Sequence, residues 1–209
     1  MRWMMVMLVA APMALAAGNA VAQEPSGSGF EITPFGGYRW GGGLSTISGV
    51  RSFDTKDAPS YGLALGMRTP RNSLAEIVWT HFQANVEGQL NNGLRFDGGP
   101  LKRDDIMLNG TWYAYRYGSS VMPFITAGLG ASIFSSSATS SVGRFAWDLG
   151  GGIRKDFSEK LGFRVTGLWM PTWVTTGTGL WCDPFYCYAT GTGEYYDQFE
   201  VTGGLIIKL

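Results

Sequence analysis

The 209-residue sequence predicts an all-β fold, an eight-stranded antiparallel up-and-down transmembrane β-barrel with a cleaved N-terminal signal peptide. Three observations carry that expectation. Hydrophobic and small or polar residues alternate with period two in eight successive runs. Short and long breaks between the runs alternate strictly. The composition combines 31 Gly, 8 Trp, 9 Tyr and 12 Phe with only 15% charged residues, against roughly a quarter charged in an ordinary soluble domain. That balance implies many turns and large apolar surfaces that need not face water. The length favours a single domain, and a net charge of zero excludes strong attraction to nucleic acid.

The chain opens with an export signal. Arg2 supplies the positive start, Met4 to Ala17 form an apolar stretch, and Ala20-Val21-Ala22 is an A-x-A cleavage pattern before Gln23. The apolar run is short for a spanning helix of about 20 residues, and a cleavage site follows it. The expected organisation is therefore a signal peptide over 1–22 and a barrel domain over 23–209. No later segment has the length and continuous apolarity of a spanning helix.

The eight runs fall at about 30–41, 60–68, 73–86, 103–117, 121–135, 144–157, 161–174 and 195–209. Most match the 9–11 residues that a tilted strand needs to cross a bilayer. Alternation sorts them into two faces. In the fifth run Ile125, Ala127, Leu129, Ala131 and Ile133 oppose Thr126, Gly128, Gly130 and Ser132. In the sixth, Phe145, Trp147, Leu149, Gly151 and Ile153 oppose Arg144, Ala146, Asp148, Gly150, Gly152 and Arg154. The seventh sets Leu161, Phe163, Val165 and Trp169 against Arg164 and Thr166. The eighth sets Phe199, Val201, Leu205, Ile207 and Leu209 against Gln198, Glu200, Thr202 and Lys208. Gly, Ser, Thr and charges cannot build a dry core but can fill a narrow polar lumen, so the apolar face is expected to meet lipid.

Short breaks at 69–72, 118–120 and 158–160 alternate with longer ones at 42–59, 87–102, 136–143 and 175–194. Outer-membrane barrels have short periplasmic turns and longer outer loops, which places both mature termini in the periplasm. Tyr38, Trp40, Trp112, Tyr113, Trp169, Trp173, Tyr195 and Tyr196 sit near run ends and suit interfacial girdles.

Pro123-Phe124-Ile125-Thr126-Ala127-Gly128-Leu129-Gly130-Ala131, followed by Gly150-Gly151-Gly152-Ile153-Arg154 and Phe163-Arg164-Val165, resembles the small outer-membrane β-barrel family. That group includes the membrane domain of outer membrane protein A and many porin-like proteins. The wording matches over residues 121–170 and the pattern over the whole mature chain. The resemblance implies a location in the outer membrane of a Gram-negative cell, contact with its lipid and delivery by the barrel-assembly machinery. Barrels of this family commonly end in an aromatic residue, whereas this chain ends in Leu209. No run follows the eighth, so the peptidoglycan-binding domain of some relatives is expected to be absent.

Candidate functional residues fall into three groups. The polar face carries Arg39, Glu76, Asp148, Arg154, Arg164 and Glu200, with Lys208 near the periplasmic end. Interior charges need partners, which predicts a salt-bridged lumen network with Glu76, Arg164 and Glu200 at its centre. Such a network either plugs the barrel, the favoured reading, or gates small solutes. Cys182 and Cys187 flank Asp183-Pro184, a turn signal, in an exported chain, which predicts a disulfide. Further Cys or His ligands for a metal are absent nearby, and the sequence implies no cofactor. The bridge would stiffen a tip bearing Trp181, Phe185, Tyr186 and Tyr188, which either binds an extracellular surface or protein ligand or packs over the barrel mouth.

His81, the single histidine, falls on the lipid-facing side with Ile77 and Trp79. The H-x-S arrangement of barrel deacylases needs Ser at position 83, which is Gln83, so an interfacial role is favoured over catalysis. Gly41-Gly42-Gly43 and Gly150-Gly151-Gly152 precede no helix and no Lys-Ser/Thr pair, so neither reads as a phosphate loop. The sequence thus points to a non-enzymatic, monomeric barrel with a structural or surface-interaction role. A narrow solute channel is the alternative, and a lipid A-modifying enzyme a distant third.

Overall fold

The structure, a computed structural model, describes residues 29–44, 50–69, 72–90, 93–114, 121–136, 139–174, 179–182, 187–190 and 194–209. The expected signal segment 1–22 lies outside them. Twelve strands follow in chain order: β1 (Phe30–Gly41), β2 (Gly43–Leu44), β3 (Val50–Thr55), β4 (Ala58–Thr69), β5 (Ser73–Leu90), β6 (Arg95–Tyr113), β7 (Val121–Ser136), β8 (Thr139–Asp156), β9 (Leu161–Val174), β10 (Gly179–Cys182), β11 (Cys187–Thr190) and β12 (Glu194–Lys208). None of the described residues is helical.

Eight of these strands form a closed antiparallel ring in the order β1-β4-β5-β6-β7-β8-β9-β12. The ring shuts where β12 meets β1, with Glu31 opposite Lys208 and Arg39 opposite Glu200. Closure matters physically because it leaves no long strand with an unpaired edge. Asn72 and Phe157–Lys160 lie at one end together with Gly29 and Leu209; this is the turn end. The opposite end, where Gly41, Ala58, Leu90, Arg95, Ser136, Thr139, Val174 and Glu194 stand, is the loop end.

The two faces are inverted relative to a water-soluble barrel. Leu108, Ile125 and Leu129 point outward and are 63, 65 and 61% exposed, while Arg39 and Asp105 point inward and are fully buried. The outward face is a continuous belt of Leu63, Leu65, Ile77, Leu108, Ile125, Leu129, Leu149, Ile153, Val201 and Leu205. Large aliphatic area is left outside because the narrow interior is filled by charges, threonines and a few apolar side chains such as Phe82 and Met170.

Two expectations from the sequence need correction. Residues 87–102 and 136–143 are not long loops. β5 and β6 continue through Leu90 and Arg95, and β7 and β8 through Ser136 and Thr139. The lipid-type pattern ends there because the outward face turns polar, as at Gln83, Asn85 and Glu87, while Ala84 and Val86 point inward and are buried; the backbone ladder continues past the apolar belt. Tyr113 and Tyr196 are also not girdle residues. Strand parity turns each inward beside an outward neighbour, and Tyr196 is buried with its hydroxyl 2.5 Å from Thr55 Oγ1.

Candidate functional site: the lumen network

The lumen is filled by three layers of polar side chains, set one above another by period-two alternation on facing strands. At the loop end, Arg39 from β1 donates to Asp105 Oδ2 (2.7 Å) on β6 and to Glu200 Oε2 (3.2 Å) on β12. Arg103, two residues before Asp105 and on the same face of β6, donates through Nε to Asp105 Oδ1 at 2.7 Å. Its other nitrogens reach Gln198 on β12 (2.6 Å), Ser132 on β7 (2.8 Å) and Thr172 on β9 (3.0 Å). Ser132 in turn donates to Asp105 Oδ1 at 2.6 Å. Aromatic rings cover the two guanidinium groups: Phe82 lies 5.1 Å from Arg39, and Phe134 5.2 Å from Arg103. Two arginines and two carboxylates thus cross the interior from β1 and β6 to β7, β9 and β12.

The middle layer centres on Glu76 of β5. Arg164 of β9 donates to Glu76 Oε1 at 2.5 Å, and Thr111 of β6 to Glu76 Oε2 at 3.0 Å. Beside it Asn109 Nδ2 donates to both oxygens of Asp148, at 2.9 and 3.0 Å. A cavity of about 30 Å³ lies here, lined by Glu76, Asn109, Asp148, Arg164 and Glu200 with threonines and apolar side chains between them.

At the turn end Arg154 of β8 makes a two-pronged pair with Glu31 of β1, at 2.9 and 3.0 Å, and donates to the Tyr113 hydroxyl at 3.1 Å. Its Nε reaches Asp156 (3.0 Å), which also accepts from Lys208 at 2.7 Å. Arg68 lies 3.6 Å from Glu31. Each such pair withdraws charge from water, and geometry with several hydrogen bonds per ion is what offsets the desolvation cost.

The six charges expected at the lumen occupy all three layers. Arg39 and Glu200 meet at the loop end, Glu76 and Arg164 in the middle, and Arg154 at the turn end; Asp148 contacts none of the other five. Glu200 pairs with Arg39 rather than with Arg164. Sequence reading passed over Glu31, Arg103, Asp105, Asn109 and Gln198 as network members. Parity held the signal: Glu31 shares the face of Arg39, and Arg103, Asp105 and Asn109 share the face of Thr111. The Lys102–Asp105 run of consecutive charges masked that alternation.

On the outward face, His81 Nδ1 lies 2.8 Å from Asp104 Oδ1, which also accepts from Trp79 Nε1 at 3.2 Å. The Tyr61 ring packs 5.2 Å from that of His81. In the last connection, β10 and β11 pair as a hairpin that sets Cys182 opposite Cys187 and Trp181 opposite Tyr188. The side chains of these four residues, and all of Phe185 and Tyr186, lie outside what is described.

No protein-family model matches the sequence, and no curated protein matches it closely enough to be counted a relative. Solved structures do match. Neisserial surface protein A is similar over 87% of this chain and 98% of its own, with a TM-score of 0.58 at 13% identity. The outer membrane protein OprG from Pseudomonas aeruginosa is similar over 88% of this chain and 97% of its own, with a TM-score of 0.56 at 13% identity. At such identity the likeness lies in the fold, and its near-complete coverage on both sides matches the strand count and closure seen here. The chain has the fold of the small eight-stranded outer-membrane β-barrels.

Proposed function

We propose that the chain is a non-enzymatic outer-membrane barrel, plugged across its lumen, with a structural or surface-interaction role carried at its loop end. The observation that supports this most directly is the Arg39–Arg103–Asp105–Glu200 layer, whose hydrogen bonds tie β1, β6, β7, β9 and β12 across the interior. The outward aliphatic belt supports insertion in a bilayer, because such a belt about 25 Å tall is what a barrel presents to lipid. Gly29 and Leu209 share the turn end, which in this reading faces the periplasm. The loop end then faces outward, with the β10–β11 hairpin closed by a Cys182–Cys187 disulfide. Trp181, Phe185, Tyr186 and Tyr188 supply its contact surface to an extracellular surface or protein. Delivery is by the barrel-assembly machinery, and the protein acts as a monomer.

The second reading, a narrow channel for small solutes, is favoured by one observation: charged side chains occupy every level of the lumen. Planar-bilayer recording separates the two. The wild-type protein is expected to be silent, and Arg103→Ala, which removes the widest crossing, is expected to give discrete current steps. Steps from the wild type whose size changes in Arg103→Ala would replace the plug by a gated channel.

A further inference from the structure

We infer that the mid-lumen cavity is a binding site for one monovalent cation, with Asp148 as its charged ligand. The argument begins with which buried charges balance. Among the described residues, the buried ions are Arg39, Arg103, Arg154 and Arg164 against Glu31, Glu76, Asp105, Asp148 and Glu200. Arg39 and Arg103 balance Asp105 and Glu200; Arg164 balances Glu76; Arg154 balances Glu31. Asp148 is left over. It is 2% exposed, and among the described residues its sole partner is the neutral amide of Asn109. An isolated carboxylate so far from water is expensive unless a positive charge joins it, either a bound cation or a proton.

The cavity wall points to what joins it. Asn109 Oδ1 and Glu200 Oε1 are buried and accept no hydrogen bond among the described residues. Both residues line the cavity that Asp148 lines. These orphan atoms are acceptors, so the species that satisfies them must be electropositive. Gly128 leaves the room that the Asn109 amide occupies: a Cβ there would collide with the amide oxygen and lie 2.6 Å from Asn109 Cγ. The remaining charged lining residues, Glu76 and Arg164, are paired to each other and add no net charge.

Size and charge then narrow the ligand. A volume of about 30 Å³ suits one water-sized occupant. A water molecule would satisfy acceptors but leave the charge of Asp148 unbalanced. A divalent ion would leave excess positive charge beside a single unbalanced carboxylate, and its six or more oxygen ligands, with the waters that Mg2+ keeps, exceed what so small a cavity holds. A small monovalent ion such as sodium meets both requirements. This inference rests on the lumen geometry and holds whether or not the barrel has an adhesive or structural role.

The test uses the protein purified from membranes into detergent micelles at pH 8. Its thermal midpoint is compared in sodium chloride and in N-methylglucamine chloride at equal ionic strength. Sodium is expected to raise the midpoint by about 5 °C, the scale of a ligand present well above its dissociation constant. That rise is expected to vanish in Asp148→Asn. Equal midpoints of the wild type in the two salts would overturn the proposal, whether or not the variant folds. So would an infrared carboxylic-acid band at pH 8 that disappears in Asp148→Asn, since Asp148 would then hold a proton instead.

Discussion

At the scale of single residues, the loop-end layer behaves as a unit because Arg39 joins Asp105 to Glu200 while Asp105 joins Arg39 to Arg103. Asp105 is gripped by both Arg39 and Arg103, so removing one arginine leaves a surplus buried carboxylate. Arg103→Met is expected to lower unfolding stability by about 3–5 kcal/mol, the usual cost of breaking a buried pair from one side. Adding Asp105→Asn to it restores neutrality around Arg39 and Glu200. The double variant is therefore expected to be more stable than Arg103→Met alone, by urea midpoint in micelles. A double variant that is weaker still would show that hydrogen-bond geometry outweighs charge balance here. Gly42 is a second residue with a local physical reason. Its φ is +106°, and a Cβ there would lie 2.6 Å from Tyr196 Cζ and 3.0 Å from Gln198 Nε2, two residues at the top of the same layer.

At the scale of elements, the strands outrun the apolar belt. β5 and β6 remain paired out to Gln89 and Arg95, and β3 adds to the edge of β5 with Phe53 opposite Gly88 and Asp54 opposite Glu87. Among the described residues, the β3–β5–β6 side of the loop end is thus a raised sheet. The β10–β11 hairpin belongs to the same end. Its register makes Cys182 and Cys187 direct cross-strand partners, as a disulfide across an antiparallel pair requires. Intact mass of the mature protein is expected to fall two hydrogens short of the dithiol form. Both thiols are expected to resist maleimide until reduction. Ready labelling without reductant would refute the bridge.

At the scale of the whole molecule, closure and the inverted faces set stability. Each long strand of the ring is paired on both sides, so opening the barrel in lipid would expose a row of unsatisfied backbone groups at once. Unfolding in detergent is therefore expected to be all-or-none and slow. Unboiled protein should migrate as a distinct folded band on a detergent gel and shift on boiling. Identical migration before and after boiling would contradict a closed barrel. Replacing 175–193 by a short Gly-Ser turn should leave that shift intact, since β9 and β12 pair from Val174 and Glu194 onward without the segment.

Much of this was determined by the sequence alone. Strand identity, the outward aliphatic set and the inward parity of Arg39, Glu76, Asp148, Arg154, Arg164 and Glu200 follow from period-two alternation, a property of one strand and its immediate neighbours. The tertiary structure decided how the lumen charges pair. Arg39 meets Asp105 across the interior from β1 to β6, and Glu31 meets Arg154 from β1 to β8, neither joining adjacent strands. Such contacts depend on ring closure and on the stagger between strands, which fix the height of each side chain in the lumen. Alternation reports which way a residue points, and only the closed ring reports what stands opposite it. For the same reason the isolation of Asp148 could be recognised only once every other buried charge had found its partner.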